Sequence, residues 1–329
     1  LGYRPDYRAP ISGCSFILPA LAAALTLHAQ FTPMPSGPFA TAGGPRSVVS
    51  ADLNGDGKAD LVSANMSGNS ITVLLASSSG GFTAASGSPV AVGAGPQSIA
   101  VADVNGDGKP DLIAANTTAS TITILIGDGT GRFTATVGSP LATASPVSFL
   151  AVGDFNGDGK ADIATVNVGS DSVSILLGNG AGGFVAATGS PFAVGLSPRS
   201  LAIGDLNIDG RLDIVVANYL GNSVTVLLGD GSGGFIATSS GPVAVGGSPN
   251  SVLLADLNGD GKPDIVTANA ADNNLSHTDI ETFVAPPVAF DAGVALSQDF
   301  PDVTVYVAPA VAEVTRTGIA AMVVWPVAA

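Results

Sequence analysis

Hydrophobic positions along this chain fall in short runs, separated by stretches rich in glycine, serine, asparagine and aspartate. Leu61–Ala64, Ile71–Leu75, Leu112–Ala115 and Ile122–Ile126 are too short for helices and are rich in β-branched residues. The pattern therefore predicts strands joined by tight turns. One stretch resolves into a complete unit. It has a strand at Gln97–Val101, a polar loop, a strand at Leu112–Ala115, a turn and a strand at Thr121–Ile126. A Gly-Asp-Gly hairpin then leads into Phe133 and a last strand to about Ala142.

The unit recurs with a step of 51 residues. Phe31, Phe82, Phe133, Phe184 and Phe235 share this register, as do Asn65, Asn116, Asn167, Asn218 and Asn269. Pro45, Pro96, Pro198 and Pro249 follow it too, while Val147 interrupts that series. Four short antiparallel strands in a unit of about 40–50 residues are one blade of a β-propeller. A blade cannot bury both faces alone. Stacking is expected to bury Ile122, Ile124, Val173, Ile175, Val224 and Val226 between sheets, with the periodic phenylalanines as core plugs. The reading is all-β, a propeller of about five visible blades over residues 31–275.

The polar loop carries the candidate chemistry. It reads Asp-x-Asn-x-Asp-Gly-basic-x-Asp five times, from Asp52, Asp103, Asp154, Asp205 and Asp256. Position 3 is Asn54, Asn105, Asn156, Asn207 or Asn258. Position 5 is Asp56, Asp107, Asp158, Asp209 or Asp260. Position 7 is Lys58, Lys109, Lys160, Arg211 or Lys262, and position 9 is Asp60, Asp111, Asp162, Asp213 or Asp264. Hard oxygen donors at positions 1, 3, 5 and 9, with a main-chain carbonyl at 7 and glycine at the turn, are the spacing Ca²⁺ requires. Up to five ions are expected, one per repeat. Ile208 replaces glycine at position 4 of the fourth loop, a position not expected to ligate. Position 12 holds Ser63, Ala114, Thr165, Val216 and Thr267, with no bidentate glutamate. The sites should accordingly be weak, with Kd roughly 10⁻⁴–10⁻³ M.

These residues resemble FG-GAP/VCBS repeats, the blades of the integrin α-subunit head and of many secreted bacterial proteins. The resemblance rests on Asp-x-Asn-Gly-Asp-Gly-Lys-x-Asp-Leu/Ile and on the later run Ser223–Phe235, and it covers about Phe31–Asn274. It implies a propeller with a Ca²⁺ loop in each blade and extracellular binding or adhesion. The pattern departs at the end. His277, Thr278 and Asp279 stand where Val226, Leu227 and Leu228 stood one repeat earlier, and residues 276–329 form a divergent tail with possible strands at Val303–Val307 and Ala321–Trp325. Phe31–Gly44 matches the end of a repeat and is a candidate last strand for the final blade.

Composition narrows the function. The formal net charge is −15, and fifteen of the 26 acidic residues lie in the five loops; five divalent ions would bring the charge to −5. There is no basic patch, which argues against nucleic acid. Arg4, Arg8, the apolar stretch Phe16–Leu27 and Leu27-His28-Ala29 read as a secretory signal over residues 1–29. The stretch is too short to span a bilayer. Cleavage would leave a secreted or cell-surface chain with no cysteine, for which Ca²⁺ could serve as the staple. His277 would be the lone histidine, and no Gly-x-Ser-x-Gly or phosphate loop is present, so no catalytic residues are assigned. The expected partner is an extracellular protein or glycan. A lectin, or the binding domain of a polysaccharide-active enzyme, is the alternative, and Tyr219 is the one aromatic that breaks the repeat pattern in an inter-strand loop.

Overall fold

The computed structural model describes residues 37–278, all of it strands and connecting turns. The leader at 1–29, the tail strands and residues 31–36 of the candidate closing strand lie outside the described residues. The first sheet contains β1 (Pro45–Ala51), β2 (Asp60–Asn65), β3 (Ser70–Ala76), β4 (Phe82–Ala84) and β5 (Val90–Ala91). The second contains β6 (Pro96–Ala102), β7 (Asp111–Asn116), β8 (Thr121–Gly127), β9 (Phe133–Ala135) and β10 (Leu141–Ala142). The third runs through β11 (Val147–Gly153), β12 (Asp162–Asn167), β13 (Ser172–Gly178), β14 (Phe184–Ala186) and β15 (Phe192–Ala193). The fourth has β16 (Pro198–Gly204), β17 (Asp213–Asn218), β18 (Ser223–Gly229), β19 (Phe235–Ala237) and β20 (Val243–Ala244). A fifth has β21 (Pro249–Ala255), β22 (Asp264–Asn269) and β23 (Asn274–Thr278). Pairing is antiparallel throughout; consecutive strands of a sheet pair, except that β5, β10, β15 and β20 each return to the third strand of their sheet.

The expected single outer strand is two pieces. β4 pairs with the end of β3 and β5 with its start. Between them the chain bulges out, and a serine hydroxyl takes over the missing carbonyl: the Val73 N–H donates to Ser88 Oγ at 2.9 Å. Ile124 with Ser139 and Ile175 with Ser190 repeat the contact. The third strand of the last sheet forms despite its altered sequence. His277 pairs opposite Val266, and its ring nitrogen lies 3.5 Å from an oxygen of buried Asp264.

The core lies between sheets. Val62, Ile71 and Val73 of the first sheet pack with Ile99, Leu112 and Leu125 of the second, and each later pair of neighbours shares a similar cluster. Ile122, Ile124, Val173, Ile175 and Val224 are fully buried, and Val226 nearly so. Among the periodic phenylalanines, Phe133 and Phe235 are buried, while Phe82 and Phe184 are half-buried. The inner strands β1, β6, β11, β16 and β21 pack in succession. No extensive contact between strands returns from the fifth sheet to the first among the described residues, so the sheets form an open arc.

The periodic asparagines explain the other end of each blade. Asn65 is fully buried and donates from Nδ2 to Thr72 Oγ1 at 2.9 Å, tying the end of β2 to β3. Asn116, Asn167, Asn218 and Asn269 repeat this with Thr123, Ser174, Thr225 and Ser276. A second polar contact joins blades. The side-chain oxygens of Asn69, Asp171 and Asn222 accept the N–H of Gly95, Ser197 and Ser248 in the link to the next blade. At the remaining link the turn residue is Ser120 and the linker residue is Pro146, which has no N–H to offer.

Candidate metal loops

Each acidic loop joins the first and second strands of its sheet, so all five project from the same end of the arc. The position-1 carboxylate organises the loop. Asp52 accepts the N–H groups of Gly55 at 2.8 Å, Asp56 at 3.1 Å and Gly57 at 2.7 Å. Asn54 Oδ1 accepts the Asp56 N–H at 3.0 Å, and Asp56 Oδ1 accepts the Lys58 N–H at 2.9 Å. Asp103, Asp154 and Asp256 rebuild this network, and Asp205 rebuilds most of it. Two residues per loop need positive φ: position 4, as at Gly55 (φ 73), and position 6, as at Gly57 (φ 79). Position 4 is thus a backbone constraint. Ile208 meets it at φ 59, and its N–H makes no bond to Asp205 among the described contacts.

Position 9 sits beneath the loop. Asp60 is fully buried; one oxygen accepts the Leu53 N–H at 2.9 Å and the other the Ala76 N–H of β3 at 2.7 Å. Asp111, Asp162 and Asp213 do the same with Val104 and Gly127, Phe155 and Gly178, and Leu206 and Gly229. Burial, foremost, pushes these three carboxyls above the ordinary carboxylate range. Repulsion from the acids at positions 5 and 1 adds to it, and the backbone N–H bonds oppose it. Asp56 and Asp158 move the other way, held low chiefly by hydrogen bonds from Lys58 and Lys160, each 2.9 Å away. In the second and fourth loops the cation stands farther off, with Lys109 3.9 Å from Asp107 and Arg211 4.0 Å from Asp209.

Positions 1, 3 and 5 therefore lie together on one loop at the surface, position 5 exposed and the other two mostly half-buried, while position 9 serves the backbone from below. This donor set suits a hard divalent cation in kind: all oxygen, with two carboxylates and an amide at the surface. A carboxylate has about four lone-pair sites, and these backbone bonds leave some unused. The side chains do not converge three acids on one point among the described residues. A bound cation would draw also on the position-7 carbonyl, and Lys58 or Lys160 would yield its acidic partner.

Position 2 is a packing residue that the acidic pattern conceals. Leu53, Val104, Phe155 and Leu206 are buried at 1–2% exposure, each reaching into the core shared with the next sheet. Phe155 meets Phe235 of the following blade edge to face, with ring centroids 5.8 Å apart. Main-chain bonds reinforce the contact in two loops. Gly182 N–H donates to Val104 O at 2.9 Å and Gly233 N–H to Phe155 O at 3.1 Å, bolting the second and third loops to the next blade's hairpin. Leu257, at position 2 of the last loop, is 56% exposed. The sequence signal for this role is an apolar residue in every acidic loop, always directly after the first aspartate.

A model of the FG-GAP-like repeat matches residues 52–114, 103–165, 154–216 and 205–267 in tandem, each match starting at a position-1 aspartate. The chain belongs to the FG-GAP-like repeat family. Among curated proteins none matches it. Solved structures resemble this FG-GAP protein in fold. A protein of unknown function from Desulfotomaculum acetoxidans shares 10% identity at TM-score 0.57, covering 78% of this chain and 71% of the other. A Lactobacillus plantarum protein shares 16% at TM-score 0.53, covering 76% and 72%. A Bacteroides uniformis protein provisionally named a 6-phosphogluconolactonase shares 15% at TM-score 0.54, covering 70% of this chain; the FG-GAP chain spans 65% of that structure's length. At these identities the likeness is one of fold.

Proposed function

We propose that this chain is a secreted, calcium-binding β-propeller that acts as a non-catalytic binding or adhesion module for an extracellular protein or glycan. The observation that carries the reading is the repetition of one oxygen-donor loop on one end of five stacked sheets, with neighbouring blades bolted to it at Val104 and Phe155. A cation there would neutralise the acids the loop brings together and would hold the position-2 plug against the next blade. The ligand surface falls to the opposite end, where the turns at residues 117–120 and 168–171 are small and polar. Tyr219, at that end, has one face covered by the Arg199 guanidinium, 4.3 Å from its centroid. The gluconolactonase name of a solved neighbour transfers no residue to this chain at 15% identity.

The test is bound calcium per chain by elemental analysis, together with thermal unfolding in millimolar Ca²⁺ and in chelator. Several ions per chain and a Tm lowered by chelation support the reading. No calcium and an unchanged Tm would remove it and leave the loops as metal-free turns.

A further inference from the structure

The chain holds five Asn-Gly pairs, and the structure separates one from the other four. An asparagine followed by glycine can modify itself. The glycine nitrogen loses its proton and attacks the side-chain Cγ, forming a C–N bond. Ammonia leaves from the side-chain amide, and water opens the resulting succinimide to aspartate or to isoaspartate. The step needs a glycine N–H free of other bonds and a carbonyl oxygen that can take up negative charge.

In the four loop pairs the nucleophile is occupied. Gly55, Gly106, Gly157 and Gly259 each donate their N–H to the position-1 aspartate, at 2.8, 2.7, 2.8 and 2.7 Å. The fifth pair, Asn179-Gly180, lies in the hairpin between β13 and β14. Its Gly180 N–H makes no hydrogen bond among the described residues. Asn179 is exposed, and Gly180 has φ 71, with no Cβ to shield its nitrogen. Two backbone N–H groups already point at the oxygen that would carry the developing charge: Ala181 N–H donates to Asn179 Oδ1 at 2.8 Å and Gly183 N–H at 3.0 Å.

The hairpin is also shaped for the acid product. The sister hairpins of the second and fourth sheets carry Asp128 and Asp230 at this position, and that of the first carries Ser77. Asp230 Oδ1 accepts Ser232 N–H at 2.7 Å and Gly234 N–H at 3.0 Å, the same pair of bonds. A basic side chain waits beside each turn: the Lys160 stem lies against Gly180 as the Arg211 stem lies against Gly231. We propose that Asn179-Gly180 is a self-modifying site that deamidates in the folded protein, while the four loop Asn-Gly pairs are protected by their position-1 aspartates. The aspartate product restores the geometry of the sister hairpins. The isoaspartate product adds a backbone atom three residues before Gly182 and loosens its bond to Val104 of the preceding blade.

The experiment is peptide mass spectrometry of the full chain aged in mildly alkaline buffer with chelator, so that the loops are shielded only by their own hydrogen bonds. A urea-unfolded sample is aged in parallel. A hydrogen bond holding the attacking N–H on a carboxylate is worth roughly 1.5–3 kcal/mol, so Asn179 is expected to convert at least about tenfold faster than any loop asparagine in the folded chain. In urea the five should converge. Loop asparagines that convert as fast as Asn179 in the folded chain, or an Asn179 that stays amidated when folded but converts in urea, would overturn the proposal. Asn179→Asp should melt with the wild type, whereas an aged fraction enriched in isoaspartate should melt lower; a destabilised Asn179→Asp would refute the claim that the hairpin accommodates the acid.

Discussion

At the residue scale, the second blade lacks one hydrogen bond that its neighbours make. Ser63, Thr165 and Thr267 donate their hydroxyls to Oδ1 of Asn65, Asn167 and Asn269 at 3.0–3.3 Å. The equivalent residue before Asn116 is Ala114, and Asn116 Oδ1 is buried without a partner. In the fourth blade, where the residue is Val216, Asn218 Oδ1 takes the Gly195 N–H instead. Ala114→Ser is therefore expected to stabilise the protein by about 1 kcal/mol. Denaturant unfolding checks this, and an unchanged or lower midpoint would show that the serine cannot reach the amide. The register of Asn116 was legible in the sequence. Its missing donor was not, because the hydroxyl lies two residues back on the same strand and becomes its partner only when both side chains are buried on one face.

At the element scale, the acidic loop is a local structure that closes on itself. Its turns are made by Asp and Asn side chains accepting backbone N–H groups within five residues, so the residue types alone specify it. The exception is Ile208, a β-branched residue held at φ 59 and 62% exposed. Left-handed backbone costs such a residue roughly 1–2 kcal/mol, and glycine's greater freedom in the unfolded chain returns about 0.4–1 kcal/mol of that. Ile208→Gly should raise stability by about 0.5–1 kcal/mol. Thermal melting of the two chains decides it, and a loss of stability would mean that the isoleucine makes a contact worth more than its strain. Position 2 teaches a different lesson. Leu206 and Leu257 are identical in type and place in the repeat, yet one is buried and the other 56% exposed. The difference is whether a following sheet covers it.

At the scale of the whole molecule, the described residues form a one-dimensional stack in which the interior blades have two neighbours and the end blades one. β7, β12 and β17 are buried along their whole length, while β22 is partly exposed and β23 is nowhere fully buried. Among the second and third strands of the sheets, hydrogen exchange should therefore be slowest in β7, β12 and β17 and fastest in β22 and β23. Equal protection in the fifth sheet would indicate that further chain covers it in solution.

The sequence by itself determined what is local and periodic. The 51-residue step, the strands, the turns and the acidic loops all follow from residue type at fixed spacing, because a strand's alternation and an Asx turn are settled within a few residues. Only the tertiary structure decided what depends on contact between blades. It divided the outer strand around the Ser88, Ser139 and Ser190 hydroxyls. It set the position-9 aspartates beneath the loops as backbone acceptors, although the same residues read equally well as exposed ligands. It joined Val104 to Gly182 and Phe155 to Gly233, residues 78 apart in the chain. Partners at that separation obey no local spacing rule. They meet because stacking one amphipathic sheet on the next is the only way either can bury its apolar face.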